Sequence, residues 1–321
     1  MPIPTANPVP TLSRLTLLAF LLALVPFAGW ARMPDTGVTS VSPKDIAELR
    51  QTLLGEKPDF ELFRLRGPFR VSVQKDVEIR LSRTERVIAD LYRADVPDKA
   101  PLVVLLHGHE NSKADHAYQA LHIATWGMHV LAVQLPNKGP WLANGKALAR
   151  LARQVAQRPN DLDSHIDPAR IVLAGHSFGG AAVAVALAEG APVIGAVLLD
   201  PAAQTRTFIN YLRRVRKPVL AIMADGNVTY ARNRDYFFEY IRSDVAEVSI
   251  AGAHHEDAQF AMDPAPLATV GGPVGEDMQL AFASALTSAA FSLGFTGGLD
   301  YAWASFGEAI RNGKLFDALR K

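Results

Sequence analysis

The sequence predicts an α/β fold with a doubly wound, mostly parallel sheet. From residue 102 onward, short apolar runs alternate with longer segments of helical periodicity, which is the pattern that βαβ units produce. Residues 102–106 are continuously apolar, as is typical of a strand buried on both faces. With 321 residues, 49% of them hydrophobic and 20% charged, the chain suits one large domain with a full core.

The first 31 residues have the pattern of a secretory signal peptide. Arg14 supplies a short positive region, residues 15–25 are almost entirely apolar, and Gly29 and Ala31 offer small residues before a cleavage site. The apolar run is shorter than the ~20 residues that span a bilayer. We therefore expect an exported protein, periplasmic or secreted, with an uncleaved membrane anchor as the alternative.

Charge and cysteine content narrow the classes of partner and chemistry. The formal net charge is +1, which favours neither nucleic acid nor an anionic membrane surface as a partner. The sequence contains no cysteine, so it offers no disulfide, thiol nucleophile or thiolate metal ligand. The basic cluster at residues 213–217 follows a helix-like stretch, and we interpret it as a solvated helix end.

The elements can be assigned in order along the chain. Residues 32–67 form an N-terminal extension with one helix, which starts after the capping residue Ser42. The main domain covers residues 68–321, and alternating apolar positions in 68–93 predict antiparallel strands at its N-terminal edge. The later strands are expected at 102–106, 130–133, 170–174, 193–199, 219–222 and 246–250. The helices between them are expected at 114–126, 144–157, 178–189, 205–214 and 230–241.

The C-terminal part carries a weaker pattern. Residues 264–275 are rich in Pro and Gly, and residues 276–292 predict an apolar, Ala-rich helix. That helix contains Ser284, Thr287 and Ser288 and is shorter than a typical membrane span. We expect it to cover the core, so that no stable membrane span remains once the signal is removed.

The strongest local signal lies at residues 175–180, which read Gly-His-Ser-Phe-Gly-Gly. A β-type run precedes this stretch and small residues follow it, so the pattern predicts a strand, a tight turn and a helix. At such a turn Ser177 has a strained backbone and an exposed hydroxyl. Gly175 and Gly179 are required because side chains there would collide across the turn.

Chemically competent side chains follow the predicted strands. Because reactive groups collect at the C-terminal ends of the strands in a parallel α/β sheet, we expect these side chains to share one edge. Ser177 precedes the acids, and the histidines come last, in the order of a Ser…Asp…His triad. Serine needs a neutral imidazole to take its proton, and a carboxylate must orient that imidazole. The strand-end candidates are His107, His109, Ser177, Asp200, Asp225, His254 and His255.

These motifs resemble the α/β-hydrolase superfamily over roughly residues 68–260. The likeness is strongest to the branch of platelet-activating-factor acetylhydrolases and chlorophyllases, near the dienelactone-hydrolase-like and polyester-hydrolysing esterases. It is carried by residues 175–180, by Leu-Asp-Pro at 199–201 and by Gly-Ala-His-His at 252–255. The resemblance implies a serine esterase with Ser177 as nucleophile, a small-molecule or lipid-like ester as substrate, and neither a metal nor an organic cofactor.

Two carboxylates compete for the role of the acid. In the branch named above the acid follows the strand after the nucleophile helix, and that position is Asp200. Most other α/β hydrolases take it one strand later, at the end of a Pro-x-Leu-x-Ile-x-x-x-x-Asp pattern. Here that pattern starts at Pro218 and ends at Asn227, which cannot act as a carboxylate, while Asp225 lies two residues short. We therefore favour Asp200, with Asp225 as the alternative acid.

The base and the oxyanion hole are assigned in the same way. The family pattern Gly-x-x-His places the base at His255, with the adjacent His254 as the alternative. The oxyanion hole is expected from the backbone N–H groups of Phe178 and His109. His107 is interpreted as a structural histidine that bonds to loop backbone.

Two other functions remain open at this point. One is a catalytically silent protein of the same fold that serves in binding. The other is a metal-dependent hydrolase, because His107, His109, Asp115 and His116 partly match the ligand run of metallo-β-lactamase-like enzymes. Residues 111–112 are Asn and Ser where that run needs Asp and His. Three further histidines are expected to be surface or packing residues, namely His122, His129 and His165. Two aromatic residues, Trp141 and Phe208, either line the acyl pocket or pack in the core.

Overall fold

A nine-stranded sheet runs through the part of the chain that the computed structural model describes, residues 59–134, 141–203, 205–225, 234–262 and 275–321. The predicted signal peptide and the helix after Ser42 lie outside these residues. The strands are β1 (Val71–Arg80), β2 (Arg86–Ala94), β3 (Ala100–Leu106), β4 (His129–Gln134), β5 (Ile166–His176), β6 (Gly195–Leu199), β7 (Val219–Met223), β8 (Val245–Ile250) and β9 (Leu315–Arg320).

The strand order in space is β1-β2-β4-β3-β5-β6-β7-β8-β9. Strands β3 to β8 run parallel, while β1 and β2 at one edge and β9 at the other are antiparallel to their neighbours. The predicted α/β class, with antiparallel strands at the N-terminal edge, is confirmed. The antiparallel strand β9 was not predicted.

Helices cover both faces of the sheet. They are α1 (Ala117–Thr125), α2 (Trp141–Gln157), α3 (Phe178–Ala188), α4 (Ile209–Leu212), α5 (Arg234–Tyr240), α6 (Glu276–Thr296) and α7 (Asp300–Arg311). Apolar residues of α1, α6 and α7 pack on one face, and those of α2, α3, α4 and α5 pack on the other. This two-sided cover explains why strands β3, β6 and β7 are apolar at every position.

Helix α6 is the element expected to cover the core. In the described residues it is long and apolar enough by composition to cross a membrane, but 83% of its most apolar window is buried inside the protein. Several of its hydroxyl groups bond within the chain: the Oγ atoms of Ser288 and Ser305 lie 2.7 Å apart, and Ser292 Oγ donates to the carbonyl of Gly298 at 2.7 Å. The helix therefore packs as a core helix, as its hydroxyl content predicted.

Residues before the predicted domain start at residue 68 also pack into the core. Phe63 is fully buried, and its ring lies 4.8 Å from that of Trp126 and 5.6 Å from that of Phe291. Phe60 packs edge-on against Phe306 with ring centroids 6.0 Å apart. The end of the predicted extension thus contributes aromatic packing to the main domain.

Strand β1 joins two segments that the apolar pattern suggested separately. The pairing with β2 shifts between Gln74 and Val77, and Asp76 has a φ of 53° at this irregularity. Its backbone N–H donates to the buried carboxylate of Asp90 at 2.9 Å. An irregularity of this kind also twists an exposed edge strand away from foreign strands.

The buried Asp90 links the sheet edge to the loop after β3. Its carboxylate accepts hydrogen bonds from Lys75 Nζ at 2.9 Å and from Lys113 Nζ at 2.6 Å. Burial raises the pKa of Asp90, but the bonds from Lys113 and Lys75 outweigh burial and leave it below its usual value. Since a buried charge needs such partners, Lys113 and the loop that carries it are held against β2.

Buried neutral histidines make the fold sensitive to acid. Burial lowers the pKa of His122 to about 4, although its Nε2–H bonds to the carbonyl of Phe63 at 2.7 Å. As the pH falls, His122 is therefore protonated in the unfolded chain first, near pH 6.5, while it stays neutral in the folded protein. The free energy of unfolding is therefore not reduced by this histidine above pH 6.5. It falls as the pH drops towards 4, by up to about 3 kcal/mol for one such histidine.

We expect His122→Gln, which keeps a side-chain donor, to reduce the fall in Tm between pH 6.5 and pH 4. Thermal unfolding followed by circular dichroism across this range measures the slope. His165→Gln is the matched control because the His165 side chain is 51% exposed, and it should keep the wild-type slope. Equal slopes for His122→Gln and the wild type would contradict the assignment.

Candidate active site

Ser177 lies in the sharp turn between β5 and α3, with φ 53° and ψ −122°. The glycines around it are required by close approach: a Cβ on Gly175 would lie 2.6 Å from the carbonyl carbon of Gly179, and a Cβ on Gly179 would lie 2.4 Å from the carbonyl oxygen of His107. The predicted strand, turn and helix are therefore present. Within this turn Ser177 as a whole residue is 8% exposed.

The sheet register sets Ser177 beside Asp200. His176 of β5 is paired with Leu199 of β6, and the N–H of Ser177 donates to the carbonyl of Leu199 at 3.0 Å. Ser177 and Asp200 are thus the residues that directly follow this pair, at the ends of two neighbouring strands. Asp200 also has a positive φ, 37°, and such strained backbone is characteristic of functional sites.

Asp200 and His255 form a buried pair. Nδ1 of His255 donates to Oδ2 of Asp200 at 2.5 Å, and the other carboxylate oxygen accepts from the N–H of Ala224 at 3.0 Å. Asp200 is 1% exposed and His255 6%. Burial lowers the pKa of His255, but the hydrogen bond and charge of Asp200 outweigh burial and raise it above its ordinary value. Asp200 therefore fixes both the tautomer and the orientation of this imidazole.

The two alternative residues have other contacts. Asp225 accepts the N–H of Gly252 through Oδ2 at 2.7 Å, and its own N–H donates to the carbonyl of Ala253 at 2.8 Å. It therefore holds the turn that leads into His255. His254 is partly exposed, and its backbone N–H donates to Asp257 at 2.7 Å. Neither the carboxylate of Asp225 nor the ring of His254 takes part in the buried pair.

The two residues predicted to supply the oxyanion hole lie together. Phe178 is the first residue of α3, so the helix itself provides no acceptor for its backbone N–H. His109 follows β3 in an exposed turn, and its ring centroid lies 5.3 Å from that of Phe178. The next residue, Glu110, has a φ of 59°. The turn after β3 thus reaches over the N-terminus of α3, where an anion is favoured.

His107 has the structural role that its position predicted. Its Nδ1–H donates to the carbonyl of Gly108 at 2.7 Å, and its Nε2 accepts from Gln134 Nε2 at 3.0 Å. Gln134 also accepts the backbone N–H of Lys113 at 3.1 Å. Burial lowers the pKa of His107 and so favours its neutral form. The neutral ring stabilises the loop after β3 through these two hydrogen bonds.

Sequence reasoning missed the polar contacts that join the loop after β3 to the loop after β8. Asn111 Nδ2 donates to Gln259 Oε1 at 2.7 Å, and Gln259 in turn donates to the carboxylate of Glu256. Burial raises the pKa of this carboxylate, which lies next in sequence to His255. No sequence motif includes these residues. The sequence singled out Asn111 only as a departure from a metal-ligand pattern.

Three of the groups considered for a metal site, His107, Asp115 and His116, have hydrogen-bond partners within the protein. Asp115 accepts the N–H of Ser112 at 2.6 Å, and His116 Nδ1 lies 2.5 Å from Gln119 Oε1. Within the described ranges, no group of three or more His, Asp or Glu side chains is arranged to hold a metal ion.

The remaining aromatic and histidine predictions concern packing. Phe208 is fully buried, and its ring lies 5.0 Å from that of Trp141 and 5.3 Å from that of Phe237. It is therefore a core residue. His122 and His129 are buried, and His165 is on the surface, in agreement with the expectation of packing and surface roles.

Comparison with known proteins agrees with this architecture. The family model described as "Alpha/beta hydrolase family" matches residues 103–311, a span that runs from within β3 to the end of α7 and includes Ser177, Asp200 and His255. A search of the curated proteins finds no match. Because the family match covers well over half of the sequence, the chain belongs to the alpha/beta hydrolase family, whose members are generally hydrolytic.

Proposed function

We propose that the protein is a serine hydrolase that cleaves carboxylic esters through an acyl-enzyme intermediate. The observation that carries this proposal is the buried Asp200–His255 pair, with its 2.5 Å hydrogen bond, at the strand edge where Ser177 occupies a strained turn. A carboxylate-oriented imidazole beside an activated serine is the arrangement that acyl transfer requires.

Each residue has a defined role in the proposed reaction. Ser177 Oγ attacks the ester carbonyl while His255 takes the serine proton and passes it to the leaving alcohol. Asp200 keeps the His255 tautomer and stabilises the imidazolium. The backbone N–H groups of Phe178 and His109 stabilise the oxyanion. Water activated by His255 then hydrolyses the acyl-enzyme.

The proposal extends to the subgroup, the substrate and the location. Placement of the acid after β6 supports the branch of platelet-activating-factor acetylhydrolases, chlorophyllases and dienelactone-hydrolase-like esterases. The substrate is a small-molecule or lipid-like ester, and residues 1–31 direct export as a signal peptide.

Labelling with a fluorophosphonate probe tests the proposed function. The wild type should be labelled, and Ser177→Ala should not. A panel of p-nitrophenyl esters of rising chain length should show hydrolysis that falls at least about a thousandfold in Ser177→Ala. A folded wild type that neither reacts with the probe nor hydrolyses any ester would instead indicate a silent binding protein, and chelator-sensitive hydrolysis without labelling would indicate a metal-dependent enzyme.

A further inference from the structure

His176 occupies a junction beside the proposed catalytic residues. It is the last residue of β5, directly precedes Ser177 and is 1% exposed. Its ring centroid lies 4.6 Å from that of His255 and 5.8 Å from that of His116. The nucleophile turn, the loop after β8 and the turn before α1 therefore meet at this one side chain.

The hydrogen bond of His176 fixes its tautomer. Its Nε2 lies 3.2 Å from the backbone carbonyl oxygen of His255. Because a carbonyl oxygen only accepts, Nε2 carries the proton and Nδ1 is an unprotonated acceptor. In the described part of the chain Nδ1 has no hydrogen-bond partner. A second proton there would be buried and unpaired, which is costly.

The surroundings of His176 also disfavour its charged form. The titratable groups that face it are His255 from the loop after β8, His116 from the turn before α1 and His107 from the end of β3. Burial, followed by the charges that His255 and His116 would carry, lowers the pKa of His176 well below its ordinary value. The ring is therefore neutral when His255 becomes protonated.

The loop that carries His109 also packs against His176. A Cβ on Gly108 would lie 3.0 Å from His176 Nδ1 and 3.1 Å from Ser177 Cβ. A side chain at position 108 would therefore require the loop or the serine turn to shift by a few tenths of an ångström. All three parts of the proposed machinery, namely nucleophile, base and oxyanion loop, thus adjoin the His176 ring.

Building on the proposed function, we propose that His176 is a positioning residue for acyl transfer, whose ring and Nε2–H bond tie the backbone of the loop after β8 to the nucleophile turn and hold His255 in its reactive orientation. The bond to Asp200 fixes Nδ1 of the His255 ring, and the bond from His176 fixes the backbone from which that ring extends. The two contacts together define where the ring lies. Misplacement of a catalytic group by about 1 Å can cost a factor of about 100 in rate.

Two substitutions separate the hydrogen bond from simple packing. His176→Gln keeps a side-chain N–H donor, whereas His176→Met has similar bulk and no donor. We expect His176→Met to lower kcat by about 10- to 100-fold with KM changed little, and His176→Gln to recover most of that loss. The Tm of both variants is measured beside kcat and KM, and His176→Phe replaces the Met variant if the latter does not fold.

A second readout does not depend on ester hydrolysis. The proton between His255 Nδ1 and Asp200 should give a far-downfield proton NMR signal, which should broaden or shift in His176→Met and return in His176→Gln. Identical kinetics and identical spectra for the two variants would overturn the positioning role. Loss of the proposed function would appear separately, as Ser177→Ala retaining wild-type hydrolysis, and the NMR comparison would still decide the role of His176.

Discussion

Replacing Asp200 with asparagine is expected to lower kcat by about four orders of magnitude, with little effect on KM. The carboxylate accepts the His255 Nδ1–H at 2.5 Å in a site where both residues are buried. An amide can instead donate to Nδ1, which leaves the proton on Nε2 and prevents the imidazole from accepting the serine proton. Steady-state hydrolysis of a p-nitrophenyl ester, with Tm measured in parallel, tests this expectation.

Asp225→Asn is the matched control for the Asp200→Asn variant. Asp225 bonds to the backbone N–H of Gly252, and an asparagine side-chain oxygen can still accept that bond. We therefore expect kcat to stay within about tenfold of the wild type, since only the strength of one backbone contact changes. The opposite ranking of the two variants would make Asp225 the acid and would remove the support for the proposed branch.

The preference for Asp200 shows how far sequence reasoning reaches at this site. Parallel strands bring their C-terminal ends to one edge, so residues that directly follow apolar runs were predicted to meet. Asn227 at the usual acid position then favoured the earlier strand. The structure places Asp200, rather than Asp225, against His255. Motif order and strand position could predict this contact because sheet topology determines which strand ends are neighbours.

The unpredicted elements lack the strong pattern on which that reasoning depends. Strand β9 is an edge strand in which Leu319 is exposed and Arg320 is half-buried, so its sequence does not alternate apolar and polar residues. Asp317 within it has a φ of 46°, and its pairing with β8 shifts between Glu247 and Ser249. Edge strands need only one partner and a partly apolar face, so their composition resembles that of a loop.

The sequence did not predict the polar contacts around the site, for a different reason. Asn111 and Gln259 are 148 positions apart in sequence, and His176 contacts the backbone of His255 rather than a side chain of recognisable type. Such contacts arise from loop geometry and leave no periodic signal in the sequence. Hydrogen bonds to backbone carbonyls are unreadable from composition, since every residue supplies one.

His255→Ala is expected to abolish turnover, with kcat reduced by about five to six orders of magnitude, whereas His254→Ala should retain activity within about fivefold. The two residues are adjacent and chemically identical, so the comparison isolates position. His255 bonds to the buried Asp200, while His254 is partly exposed. Retained turnover in His255→Ala together with loss in His254→Ala would reverse the assignment of the base.

The pH dependence of the wild type gives the same assignment a second test. Because Asp200 raises the pKa of His255 above its ordinary value of 6.5, the proposed base is protonated and inactive until the pH exceeds that value. The value of kcat/KM should therefore rise with pH through an apparent pKa above 6.5, which reports the free enzyme. In Asp200→Asn the carboxylate that offsets burial is gone, so the pKa of His255 falls and the residual activity should titrate at a lower pH. An acid limb below pH 6.5 in the wild type would mean that the Asp200 carboxylate does not govern the base.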